Sequence, residues 1–115
     1  MAVVLRCRDW MGREVILTEE CWEGKILRDH VILRGLDWCV QVVLEDPYRV
    51  RSDALNPGRE CLYRHRTLPA MPDKLLKVVV EYRASGPDGV VVGSVVTAYP
   101  TDRFKDGERQ IWPAS

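Results

Sequence analysis

The 115-residue sequence has no excess of charge of either sign, because 17 basic residues are matched by 17 acidic ones. This balance excludes a nucleic-acid-binding protein held by bulk charge, although it allows a local basic patch. No apolar run reaches about 18 residues, so we expect no membrane-spanning helix. The first residues, MAVVLRCRDW, lack a basic stretch followed by a long apolar one. The sequence therefore predicts no secretory signal and a cytoplasmic protein.

The sequence also lacks the short motifs that identify several enzyme classes. It contains no G-x-x-x-x-G-K-[ST], H-E-x-x-H, G-x-S-x-G or G-x-G-x-x-G pattern, so nucleotide-cofactor enzymes, zincins and α/β-hydrolases are not indicated. Its four cysteines, Cys7, Cys21, Cys39 and Cys61, are widely spaced and form no C-x-x-C pair. We therefore expect neither a zinc site nor any cofactor. We interpret the cysteines as buried free thiols, because a cytoplasmic protein usually keeps its cysteines reduced.

The length predicts one domain over residues 1–115, since a chain of this size buries roughly two thirds of the surface that it exposes when unfolded. Alternating residues at the N-terminus predict strands at 2–8 and 14–17. Thr18 followed by two glutamates is typical of a helix start. The apolar spacing predicts helices over 19–30 and 36–45. Asp46-Pro47 ends the second helix, because the residue before a proline disfavours helical dihedral angles.

The C-terminal half has the period-two alternation of strands. The pattern predicts strands at 48–52, 59–66, 75–83 and 90–99, with a short edge strand near 110–112. Helices followed by consecutive strands are typical of an α+β domain. We expect two helices packed on one face of an antiparallel meander of four to six strands.

The last long strand carries hydroxyl groups at its end. Period-two alternation places Thr97 and Tyr99 on the same face as Val95, and Thr101 and Arg103 follow directly. Two hydroxyls two positions apart can bind a phosphate or orient a nucleophile. The alternative is that threonine and tyrosine are simply good strand residues.

His30 is one of only two histidines in the sequence. It shares a helical stripe with Trp22 and Ile26, so its ring can face the sheet and serve as a general base near neutral pH. The alternative is a histidine at a helix C-terminus that interacts with the last carbonyl groups and with the helix dipole.

The other histidine, His65, lies in a basic pair of predicted strands. Five arginines occur there against two acidic residues, Asp53 and Glu60; the arginines are Arg49, Arg51, Arg59, Arg64 and Arg66. Such a surface can bind phosphates. The alternative is a solvated sheet face on which the arginine stems cover apolar surface.

Several stretches, taken in order, resemble a family of small nuclease domains. They are Thr18-x-x-x-Trp22, Lys25-Ile26, Asp29-His30, Glu45-Asp46-Pro47, Val50-Arg51, Leu62-Tyr63, Leu76 to Val80 and, most specifically, Thr97-Ala98-Tyr99-Pro100-Thr101 before a basic stretch. Over residues 18–112 this order resembles the barnase, EndoU, colicin-type and RelE-like (BECR) nuclease domains of phage and toxin systems. Lys25 and Asp29 depart from the pattern, because relatives carry histidine and arginine at these positions.

The resemblance implies two helices packed on a four- or five-stranded antiparallel sheet, and parallel strand neighbours would overturn a proposal based on it. It also implies metal-independent cleavage of RNA through the ribose 2′-hydroxyl. His30 is then the general base, with catalytic hydroxyls at Thr97, Tyr99 and Thr101. We expect the RNA phosphates to bind the basic residues Lys25, Arg49, Arg51, Arg64 and Arg103.

The alternative function is a catalytically inactive interaction module on the same fold, which binds a protein partner or a second copy of itself. The zero net charge and the acidic Asp29 beside His30 favour this alternative. Trp10, Trp22 and Trp112, if near the surface, suit an interface. RNA cleavage needs a positive cleft at His30, whereas an interaction module needs an exposed apolar patch.

Overall fold

A computed structural model describes residues 2–114 and shows one seven-stranded sheet against which the helices pack. The strands are β1 (Val3–Arg8), β2 (Glu14–Thr18), β3 (Arg49–Ser52), β4 (Arg59–His65), β5 (Leu75–Ser85), β6 (Val90–Thr101) and β7 (Arg109–Trp112). Their order across the sheet is β1-β2-β6-β5-β4-β3-β7. The four strands β3 to β6 form the expected antiparallel meander, and the α+β class is confirmed.

Two features of the sheet differ from the sequence prediction. The sheet has seven strands rather than four to six, because the N-terminal hairpin β1–β2 and the short β7 join opposite edges of the meander. In addition, β2 pairs with β6 in parallel over Glu14–Ile16 and Val92–Ser94. The expectation of a wholly antiparallel sheet is wrong at this pair. The nuclease resemblance therefore no longer supports a function for this protein, and any function has to be inferred from the site itself.

The first helical segment, here called α1, covers residues 19–29 and is not a uniform α-helix. It consists of Glu19–Cys21 in α form, Trp22–Ile26 in π form and Leu27–Asp29 in α form. The Thr18 hydroxyl accepts a hydrogen bond from the Cys21 amide at 3.1 Å, as its capping pattern predicts. The predicted end at residue 30 is one residue too late, because His30 leaves the helical region with φ −138° and ψ 67°.

A 3₁₀ turn at Val31–Leu33 connects α1 to the second helix, α2 (Asp37–Glu45). The apolar side of α2 faces the sheet, with Cys39, Val40, Val43 and Leu44 buried. Together with Trp22 and Ile26 of α1, these residues pack on Leu62, Leu76 and Val78 in one core. Burial of this apolar surface stabilises the helical layer on one sheet face, and the predicted layer arrangement is confirmed.

Tyr82 and Gly93 form a close contact between β5 and β6. The Tyr82 hydroxyl donates to Asp9 at 2.6 Å, and Asp9 also accepts from Arg13 Nε at 2.9 Å. A Cβ atom at Gly93 would lie 2.8 Å from the Tyr82 ring and 2.8 Å from Val80. The absence of a side chain at Gly93 therefore allows the Tyr82 ring to lie across β6 and reach Asp9.

We expect Gly93→Ala to lower the free energy of unfolding by about 1–3 kcal/mol, because the added methyl group overpacks this contact. Gly24→Ala is the matched control, since nothing lies within 4 Å of a Cβ at Gly24 in α1. That control should stabilise the protein by about 0.5–1 kcal/mol through helix propensity. Urea unfolding measures the free energy of unfolding of both variants relative to wild type. Equal changes in the two variants would contradict the proposed contact.

Candidate functional site

A bulge in β6 decides which face of the sheet carries the hydroxyl groups. The pairing with β5 shifts between Val79 and Val80, so that Thr97 lies opposite Val79 and Val95 lies opposite Val80. Val95 consequently packs in the core under the helices, and the prediction that it shares a face with Thr97 is wrong. Thr97, Tyr99 and the following Thr101 point to the face away from the helical layer.

The end of α1 lies at the edge of β6 next to these hydroxyls. The parallel pairing of β2 with β6 ends at Ser94, and α1 continues along the same edge, where Cys21 Sγ donates to the Val95 carbonyl at 3.1 Å. This path brings His30 to Tyr99. The two rings are stacked, with centroids 5.4 Å apart and planes at 25°.

Tyr99 ends a row of paired side chains that crosses four strands. In register, Arg49 of β3 lies opposite Tyr63, Tyr63 opposite Lys77, and Lys77 opposite Tyr99. The Lys77 ammonium nitrogen lies 5.3 Å from the Tyr63 ring centroid and 5.6 Å from that of Tyr99. Cations at such distances interact favourably with aromatic faces, so Lys77 helps to orient both rings.

A buried ionic cluster centres on Glu108, just before β7. Its carboxylate accepts from Lys77 Nζ at 2.8 Å, from the Tyr63 hydroxyl at 2.7 Å and from Arg51 Nε at 3.2 Å. Burial is the largest single effect and disfavours the charged forms of Glu108 and Lys77, but their mutual hydrogen bond, the hydrogen bonds with Tyr63 and the neighbouring charges together outweigh it. The pKa of Glu108 is therefore lowered and the pKa of Lys77 is raised, which keeps both groups charged.

The cluster holds the segment 102–108 against the sheet, and this segment forms one wall of an open groove. Phe104 packs edge-on against Tyr63, with ring centroids 4.8 Å apart, and Arg51 lies 4.7 Å from the Phe104 ring centroid. The groove has a volume of about 350 Å³ and is lined by Lys77, Tyr99, Thr101, Arg103, Phe104, Lys105 and Asp106. Aromatic, hydroxyl and basic groups, together with the acidic Asp106, therefore surround a space large enough for part of a nucleotide.

The structure brings most of the predicted catalytic residues to this groove. Tyr99, Thr101 and Arg103 line it, and His30 stacks on Tyr99 at its edge. Thr97 lies on the same sheet face, two residues before Tyr99. The Thr101 hydroxyl donates to the Arg103 carbonyl at 3.2 Å, so it shapes the turn in addition to lining the groove.

The predicted basic residues are divided among three places. Arg49 and Arg51 lie on the sheet face that carries the groove, but the Arg51 guanidinium group donates a hydrogen bond to the Glu108 carboxylate. Arg64 lies outside the groove, because its guanidinium group binds the Asp46 carbonyl at 2.9 Å and the Thr67 hydroxyl at 3.2 Å. Lys25 is exposed on α1 and does not line the groove.

Sequence reasoning missed Lys77, Lys105 and Glu108. Lys77 interrupts the apolar run of β5, and a lysine at such a position is the one signal that pointed to a buried partner. Nothing in the local pattern identifies Glu108 as that partner, since it lies 31 positions away along the chain. Only the return of the chain after β6 brings the two groups together.

The cysteines do not form a nucleophilic site. All four are free thiols; Cys39 and Cys61 are buried, and Cys7 and Cys21 are half-buried. Burial raises the pKa of Cys7 to about 11 and that of Cys61 to about 12. Because the thiolate is the reactive form, neither group is an effective nucleophile at neutral pH.

The ionic cluster predicts a pH dependence of stability. Because folding lowers the pKa of Glu108, its contribution to stability is complete above the unfolded value of about 4.3 and declines as the pH falls toward the folded pKa. We expect wild-type protein to lose more unfolding free energy between pH 7 and pH 3 than Glu108→Gln does. Urea unfolding at the two pH values measures this, and equal losses would contradict it.

No family model matches this chain, and neither does any curated protein or solved structure. Within residues 2–114, no helix has the length and apolar character that crossing a membrane requires. The groove and the residues around it are therefore the features from which a function can be inferred.

Proposed function

We propose that this protein is a metal-independent endoribonuclease that cleaves single-stranded RNA in the groove beside Tyr99. The observation that carries the proposal is the stacked pair of His30 and Tyr99 at a groove lined by Arg103 and Lys105. An imidazole, a phenol and two cations are the groups that acid–base cleavage of RNA needs. They converge on one open surface, to which a flexible single strand has access.

The reaction begins at the ribose 2′-hydroxyl. His30 accepts the proton of this hydroxyl, and the 2′-oxygen attacks the adjacent phosphorus. The bond from phosphorus to the 5′-oxygen breaks, and the Tyr99 hydroxyl donates a proton to that leaving oxygen. The products are a 2′,3′-cyclic phosphate and a 5′-hydroxyl.

Charge develops on the phosphoryl oxygens in the transition state of this reaction. Arg103 and Lys105, both exposed at the groove, are the groups that stabilise it, since cations beside the phosphate attract the developing negative charge. Lys77 has a different role, because its ammonium group already forms an ion pair with the Glu108 carboxylate, with Nζ 2.8 Å from Oε2. It positions the Tyr99 ring rather than the phosphate.

Asp29, next to the proposed base, is a departure from the family pattern. Its carboxylate pairs with Arg28 Nε at 3.2 Å, and both side chains are more than half exposed, at 51% and 68%. The neighbouring cation and the surrounding water weaken the repulsion between Asp29 and a phosphate. An acidic residue at this position is therefore compatible with RNA binding.

The test is to incubate the protein with three matched single-stranded oligonucleotides in the presence of EDTA. We expect cleavage of the RNA, with 2′,3′-cyclic phosphate ends, and no cleavage of the 2′-O-methyl RNA or of the DNA. The reason is that only the RNA has a free 2′-hydroxyl nucleophile. Cleavage of the DNA, or no cleavage of any substrate, would contradict the proposal.

The second candidate function is an interaction module, and one observation favours it. Val31, Ile32 and Trp38, around the connection between α1 and α2, are exposed by 68%, 50% and 50%. Of the tryptophans expected near the surface, Trp112 is 40% exposed, whereas Trp22 is only 5% exposed. Self-association predicts a concentration-dependent mass by light scattering, and the mass of a single chain at high concentration would count against it.

A further inference from the structure

A second cavity lies on the sheet near the end of β4. Its volume is about 360 Å³, and its lining includes Tyr48, His65 and Arg66. The rings of Tyr48 and His65 meet edge to face, with centroids 4.4 Å apart. The Arg49 guanidinium carbon lies 3.9 Å from the centroid of the Tyr48 ring. The lining therefore combines two aromatic rings with two arginines and one aspartate, Arg64, Arg66 and Asp46, and Arg49 lies beside it over the Tyr48 ring.

The sheet register places this second cavity close to the groove. His65 of β4 lies opposite Leu75 of β5, and Leu75 lies opposite Thr101 of β6. Paired residues on adjacent strands point to the same face, and the strands are about 4.8 Å apart. The Cα atoms of His65 and Thr101 are thus about 10 Å apart, with only Leu75 between them, so one extended strand of nucleic acid can contact both cavities.

The charges at the second cavity favour an anionic ligand. Asp46 pairs with Arg64 at 3.3 Å, whereas neither Arg49 nor Arg66 forms an ion pair within residues 2–114. Arg66 also has a φ of 55°, the one positive φ among the non-glycine residues described. This uncommon conformation is maintained at a basic, exposed residue on the rim of the cavity, where strain is often associated with binding.

We propose that the Tyr48–His65 cavity is a second nucleotide subsite, in which a base stacks on Tyr48 while the scissile ribose lies between His30 and the groove. This inference depends on the proposed binding of RNA to the sheet face. Stacking on aromatic rings accepts every base, and basic residues bind the phosphates between the stacked bases. Single-stranded RNA of several nucleotides is then the preferred ligand, rather than a dinucleotide.

The experiment compares Tyr48→Ala with Tyr48→Phe by fluorescence anisotropy. The probes are 2′-O-methyl oligouridines of two lengths, a dinucleotide and an oligonucleotide of about eight residues; neither can be cleaved, so binding is measured apart from catalysis. We expect wild-type protein to bind the longer probe about tenfold more tightly than the shorter one, and Tyr48→Ala to lose this gain. Tyr48→Phe should retain it, because the stacking ring remains.

Leu55→Ala is the control for changes to an exposed apolar side chain elsewhere, since Leu55 is 81% exposed; it should retain the gain with length. Circular dichroism confirms that each variant is folded. The inference is overturned if Tyr48→Ala still binds the longer probe about tenfold more tightly than the shorter one. It is also overturned if Tyr48→Phe loses this difference in affinity as completely as Tyr48→Ala does. If wild-type protein binds neither probe, the proposed function itself fails, and the two failures are thus distinguished.

Discussion

Replacing His30 with alanine is expected to lower the rate of RNA cleavage by about 10²- to 10⁴-fold, the usual contribution of a general acid or base. The imidazole is the one basic ring that the structure places against Tyr99. Within residues 2–114, no second imidazole stacks on Tyr99 to take over the role of proton acceptor. Single-turnover cleavage of a fluorescent RNA in EDTA measures the loss.

Two controls separate catalysis from folding and from binding. His30→Gln keeps a polar side chain without a ring that accepts the proton, so it should be as impaired as His30→Ala. Gln41→Ala on α2 alters an exposed side chain whose hydrogen bond goes to Glu45, and it should cleave normally. If His30→Ala cleaves RNA at the wild-type rate while remaining folded, His30 is not the general base.

Replacing Glu108 with alanine is expected to lower the free energy of unfolding by about 3–5 kcal/mol, because it leaves an unpaired charge in the interior. The side chains of Lys77 and Glu108 are only 4% and 1% exposed. The same change removes the acceptor of the Tyr63 hydroxyl and frees the segment 102–108 that forms the groove wall. RNA cleavage should therefore fall together with stability.

A double substitution tests whether the unpaired charge causes this loss. Lys77→Met combined with Glu108→Leu removes the two buried charges, and it should be more stable than Glu108→Ala. Part of the loss should remain, because Arg51 and the Tyr63 hydroxyl still lack their acceptor. Glu14→Ala is the surface control; it breaks the exposed pair with Arg6, which has a distance of 2.6 Å, and should cost no more than about 1 kcal/mol. Urea unfolding measures all three, and a Glu108→Ala protein as stable as wild type would contradict the argument.

The local sequence predicted the elements well, since their signals act over a few neighbouring residues. Thr18 caps α1 as its position predicts, and α2 ends at Glu45 before Asp46-Pro47. The two long strands at the centre of the sheet, β5 and β6, follow from runs of β-branched residues. The π-helical turn at Trp22–Ile26 has no such local signal and was not predicted.

The candidate site was predicted in part. His30, Tyr99, Thr101 and Arg103 were chosen from their places in the chain, and the structure brings them to one groove. Arg64 was chosen by the same reasoning, yet it binds Asp46 on a different part of the surface. Charge alone could not distinguish Arg64 from Arg103, because the partner of each depends on contacts distant in the chain.

The sequence by itself determined the α+β class and the bounds of most elements. These follow from propensities, capping and periodicity, which are local properties. Only the tertiary structure decided the parallel pairing of β2 with β6, the face on which Tyr99 lies and the burial of Lys77 with Glu108. Each of these depends on a bulge or on a contact between distant segments, where one residue of register moves a side chain to the opposite face.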